Sequence, residues 1–91
     1  MVTSIILINA ERTRINDIAG QLQETKGISE VYSVSGSYDL IAIVRVANND
    51  DLADLVTGKM NRIDGITHTE TMLAFKAYSR HDLESMFALG M

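Results

Sequence analysis

Apolar residues cluster as strand-like runs in four places along the chain and recur with a helical period in three others. Residues 2–8 end in Ile5-Ile6-Leu7-Ile8, apolar on both parities and rich in β-branched side chains, which predicts a central strand covered on both faces. From Thr13, a plausible N-cap, the residues Ile15, Ile18, Ala19 and Leu22 fall on one helical face. Asp17 in its first turns and Lys26 near its end suit the helix dipole, and Gly27 stops it. Residues 28–34 alternate and residues 38–46 are apolar, so Gly36-Ser37 between them predicts a tight hairpin with a primed turn. On its second arm Leu40, Ala42, Val44 and Val46 share one face, while Ile41 and Ile43 share the other with Arg45 beyond them. After Asn48, Asn49 or Asp50 caps a second helix with the stripe Leu52, Leu55, Val56, Met60 and Ile63, closed by Gly65. Residues 66–78 predict a last strand, and residues 82–89 a short amphipathic helix through Leu83, Met86 and Phe87.

The resulting order, β-α-β-β-α-β, predicts an α+β ferredoxin-like fold. Right-handed crossovers place both helices on one face of a four-stranded antiparallel sheet. An internal echo agrees, because Ile18, Leu22, Gly27 and Ile28 recur at a constant offset as Val56, Met60, Gly65 and Ile66. A sheet covered by helices on one side should turn polar side chains outward on the other. The Ile41/Ile43 face is apolar instead, so a second subunit is expected to cover it. Residues 1–80 then form one ligand-binding and oligomerisation domain, and residues 81–91 a tail.

With 91 residues the chain has room for a single core. Cysteine is absent, which suits a reducing compartment. Residues 2–8 are too short and too interrupted for a signal core, and no run approaches the roughly 20 apolar residues of a membrane span. A soluble cytoplasmic protein without membrane contact is expected. Twelve acidic against eight basic residues give a net charge of −4, with the cations scattered, so direct nucleic-acid binding is not expected.

For catalysis the sequence offers little. The histidines are His68 and His81, without cysteine or spaced carboxylates around them, so no metal site is expected. No nucleophile elbow and no phosphate-cradling loop occur, and the methionines suit packing, so no cofactor is expected. Thr67, Thr69 and Thr71 stand out, because strand alternation puts their hydroxyls on one face where a small zwitterion could be hydrogen-bonded. Backbone N–H groups at Gly36 and Ser37 could hold its carboxylate, Asp39 its ammonium group, and Tyr38 supplies an aromatic handle. The plainer reading stands beside this one: threonine suits any half-exposed strand, and most Gly-Ser turns only reverse the chain.

Gly27-Ile28, Gly36-Ser37-Tyr38-Asp39-Leu40 and Asp64-Gly65-Ile66-Thr67-His68-Thr69-Glu70-Thr71 occur in this order across residues 5–78. Together they resemble the effector-binding domain of the Lrp/AsnC (feast/famine) transcription regulators. The resemblance implies pairing through the sheets, as in dimeric α+β barrels, and assembly into rings of four dimers. It also implies a small effector, usually an amino acid, bound between dimers near the hairpin and the threonine strand. By position Gly36, Tyr38, Asp39, Thr69 and Thr71 carry over, with Ser37 and Thr67 as weaker additions. Full regulators carry an N-terminal helix-turn-helix, whereas here the first strand begins at Val2. A stand-alone, non-enzymatic effector-binding domain that associates with full-length relatives is therefore expected. Two other readings share the fold: a small dimeric α+β barrel enzyme of monooxygenase or isomerase type, and a ligand-free oligomerisation adaptor. The enzyme reading is disfavoured by the lack of tryptophan and by the late position of both histidines.

Overall fold

A computed structural model describes residues 1–78. Strand β1 (Val2–Ala10) is central, as its apolar run predicts. It pairs antiparallel with β3 (Leu40–Val46) on one side and β4 (Ile66–Leu73) on the other, and β2 (Ile28–Ser33) lies outside β3. The sheet order β2-β3-β1-β4, with helices joining β1 to β2 and β3 to β4, is the ferredoxin-like arrangement. Ile6, Ile8, Leu40, Ala42 and Val44 pack from the sheet against Ile18 and Leu22 of α1 (Ile15–Glu24) and against Leu55, Met60 and Ile63 of the second helical segment. Each fully buried aliphatic side chain contributes about 1.5–3 kcal/mol, so this layer is the main source of stability. The buried Ser4 hydroxyl donates to the Met72 carbonyl at 2.7 Å, which satisfies a polar group inside the layer.

The helices start and run differently from the sequence expectation. Thr13 caps nothing: residues Arg12–Arg14 form a 3₁₀ turn, and α1 follows it without a side-chain cap. The cause is that β1 continues to Ala10 and Glu11 N–H donates to the Gly65 carbonyl at 2.8 Å, leaving only a tight turn to reverse the chain. The second helix is capped by Asn48, whose side-chain oxygen accepts from Asp51 N–H at 2.8 Å, rather than by Asn49 or Asp50. After α2 (Asn49–Asp54) the helix widens into a π turn, Leu55–Lys59, and tightens into a 3₁₀ turn, Met60–Arg62. In an α-helix five residues advance about 500°, which would turn Met60 well away from Leu55. The Met60 N–H to Leu55 carbonyl bond of the π turn brings both side chains to the core, where they are 3% and 1% exposed, respectively.

The hairpin and the last strand also depart from expectation. Residues 34–39 leave the ladder, so the connection is wider than a two-residue primed turn. Strand β4 ends at Leu73 rather than continuing to residue 78, because its partner β1 begins at Val2. One further bond, Ala74 N–H to the Thr3 carbonyl at 2.9 Å, follows it, and Phe75 beyond is 97% exposed. The expected helix at residues 82–89 lies outside the described residues, as does His81.

On the face away from the helices, cross-strand neighbours set Ile5 beside Ile43 and Met72, and Leu7 beside Ile41 and Glu70. Tyr32 extends this surface over Ile41 from β2. The open face is thus apolar at its centre, as alternation along β1 and β3 predicts, with Tyr32 51% and Met72 42% exposed.

Candidate functional site

The loop between β2 and β3 is closed by Val34 N–H donating to the Asp39 carbonyl at 3.0 Å. Gly36 has φ 107°, a conformation that glycine alone adopts without strain, and it stands in open space. Asp39 fastens the loop to the end of β1 twice. Its N–H donates to the Ile8 carbonyl at 2.9 Å, and its Oδ2 accepts from Ala10 N–H at 2.9 Å. This second tie explains why the ladder does not continue into a two-residue turn. The carboxylate is committed to a backbone group from a distant part of the chain.

Held this way, Tyr38 reaches across the end of β1 to β4. Its hydroxyl donates to Glu70 Oε2 at 2.6 Å, and its ring stacks on His68 with centroids 6.5 Å apart and planes 21° from parallel. The bond to Glu70 holds the Tyr38 proton, so the phenol titrates above its ordinary value. Glu70 pairs with Leu7 and His68 with Asn9, so both project on the open face of the sheet. Thr69 and Thr71 pair with Ile8 and Ile6, whose side chains are in the helix-side core, and so project on the opposite face.

The expected site residues are therefore not gathered in one place within the chain. Tyr38 lies on the open face, Thr69 and Thr71 on the helix side, and Gly36 and Ser37 at the exposed loop tip. Asp39 sits at the junction with β1. Thr67 is the extra residue of a β-bulge between the Asn9–His68 and Ala10–Ile66 pairs, so simple alternation with Thr69 is interrupted there. His68 and Glu70 are the site neighbours that sequence reasoning missed. Their signal was present as alternate positions between the threonines, but nothing local says that Tyr38 crosses β1 to meet them.

The hairpin presents a polar ledge. A cleft of 470 Å³ opens instead at the far end of β3, beside Val46, Ala47 and Gly27. Among the described residues no helix is long and apolar enough to cross a membrane.

The family model for the Lrp/AsnC ligand binding domain matches residues 3–83. The uncharacterized HTH-type transcriptional regulator PH1692 of Pyrococcus horikoshii is 36% identical over 70 residues, covering 77% of this chain and 47% of the relative. The chain thus spans about half the length of that regulator. The crystal structure of TTHA0845 from Thermus thermophilus superposes with a TM-score of 0.82 at 40% identity, over 88% of this chain and 100% of that one. The fold is also shared with the transcriptional regulator NMB0573 of Neisseria meningitidis, solved as an L-Met complex, at TM-score 0.78 and 10% identity over 87% of this chain and 53% of that one.

Proposed function

Because the chain belongs to the Lrp/AsnC ligand-binding domain family, we propose that it is a regulatory domain that binds a free amino acid at a boundary between its own copies. The observation that carries this reading is the open sheet face, apolar along Ile5, Leu7, Ile41 and Ile43, with the Tyr38–Glu70–His68 ledge at its end. A contiguous apolar surface of this kind marks an interaction site. Two copies meeting through it form the dimer, and dimers join into the larger ring. The L-Met complex of NMB0573 supports an amino acid as the effector class.

Residues 1–80 serve as the sensing and assembly unit in this reading. One subunit's hairpin offers Gly36 and Ser37 amides to the carboxylate and the remaining Asp39 oxygen to the ammonium group. Thr69 and Thr71 face the other side of β4, so they serve a ligand held by a neighbouring copy's hairpin. The same surfaces admit full-length Lrp/AsnC regulators as partners, and ligand-dependent assembly is how the domain would modulate them. Isothermal calorimetry across the twenty amino acids, paired with light scattering, tests the proposal. At least one amino acid should bind, and the assembly should exceed a dimer. No binder among the twenty, together with a monomer in solution, would overturn it.

A further inference from the structure

The cleft at the pole opposite the hairpin has a character of its own. We infer that it is a second binding site, formed within one subunit, for a small zwitterion bearing one ammonium and one carboxylate group. Its volume of 470 Å³ falls among small-molecule pockets, which span about 300–1,000 Å³. It lies at the other end of β3 from the hairpin, roughly 20 Å away at the rise of a β-strand.

The floor is apolar and closed. Gly27, at φ 101°, lets the chain pass so near that a Cβ there would come within 2.8 Å of Leu55 Cδ1 and 3.0 Å of Val46 Cγ1. The walls carry charges of both signs: Lys26 follows α1, Asp51 and Asp54 belong to α2, and Lys59 ends the π turn. Lys59 Nζ donates to the Lys26 backbone carbonyl at 3.5 Å, which seats this ammonium beside the turn between α1 and β2. Arg45 also borders the cleft, but its guanidinium is paired with Glu30 at 3.4 Å. Among the described residues, Lys26, Lys59, Asp51 and Asp54 form no salt bridge.

That combination selects the ligand class. A simple anion attracted by the lysines meets the two aspartates, and a simple cation attracted by the aspartates meets the two lysines. A molecule carrying both charges satisfies both signs and rests its carbon chain on Val46 and Ala47. The π turn runs between the aspartates and Lys59 and widens the helix there, a distortion found often at functional sites. Because the charged groups are solvent-exposed, binding in the millimolar range is expected.

The test is ¹H–¹⁵N NMR of the full chain titrated with glycine, β-alanine and γ-aminobutyrate to about 50 mM, well above a millimolar Kd. Acetate and ethylammonium at matched ionic strength serve as single-charge controls. At least one zwitterion should shift the amides of Gly27, Ala47 and Lys59 in a saturable way, with the controls weaker. Asp54→Asn and Lys59→Gln, measured separately, should each weaken binding about fivefold while leaving the rest of the spectrum in place. Unmoved cleft amides, controls that match the zwitterions, or two folded variants that bind like wild type would overturn the inference. The amides of Ser37 and Asp39 are read in the same spectra, so failure at the hairpin and failure at the cleft are seen separately.

Discussion

Replacing Asp39 separates two jobs that its carboxylate could hold. Asp39→Ala removes the acceptor of Ala10 N–H, a part-buried bond of 2.9 Å that pins the hairpin to β1. A hydrogen bond to a charged group contributes about 1.5–3 kcal/mol, and partial exposure argues for the lower end. For a domain of this size a loss of that order lowers Tm by about 6–12 °C. Asp39→Asn keeps an oxygen in the same position without the charge, so its cost should stay below about 1 kcal/mol. Thermal unfolding by circular dichroism gives these differences, and exchange of the Ala10 amide should quicken in the alanine variant alone. Binding divides differently: if the free carboxylate oxygen receives an ammonium group, asparagine should lose the ligand as fully as alanine. Equal Tm values for wild type and Asp39→Ala would refute the anchoring argument, and wild-type affinity in Asp39→Asn would refute the ammonium role.

Further expectations follow from the same contacts. Ile43→Asp places a charge in the middle of the apolar sheet face and should yield monomers by light scattering if copies meet there. Gly27→Ala combines positive φ with close contacts to Leu55 and Val46 and should cost at least about 2 kcal/mol in urea unfolding. Gly36→Ala, with positive φ but nothing within 4 Å, should cost only about 1 kcal/mol. The Tyr38 phenol has its pKa raised by the bond to Glu70. Its stabilising contribution is therefore present below the unfolded value of about 10 and lost as pH rises through the higher folded value. Urea midpoints measured across that window should fall less steeply for Tyr38→Phe than for wild type.

Periodicity made most of the fold legible. Alternation at Leu40, Ala42 and Val44 against Ile41 and Ile43 gave both faces of β3, and the spacing of Ile18 and Leu22 gave the buried side of α1. The second helix was legible as a stripe, but its π turn was not, because Leu52, Val56, Met60 and Ile63 also fit ordinary α spacing. Long-range hydrogen bonds stayed hidden. Thr13 is an acceptable cap on local chemistry, and it loses the role to a bond between Glu11 and Gly65. The hairpin width depends on Asp39 finding Ala10, and the split of the threonines from Tyr38 depends on which β1 residues they face. Of the candidate site, the residue types were readable and their grouping was not.

The surplus residue at Thr67 sets how this strand tolerates changes of length. Removing it would join Ile66 to His68 in an unbroken ladder and leave every later side chain pointing as before. Losing any single residue between 68 and 73 would instead invert all that follow, carrying polar groups to one surface and exchanging the other's contacts. A gap is therefore harmless at one position of β4 and ruinous at its neighbours, and related chains that differ in length here should do so at the bulge.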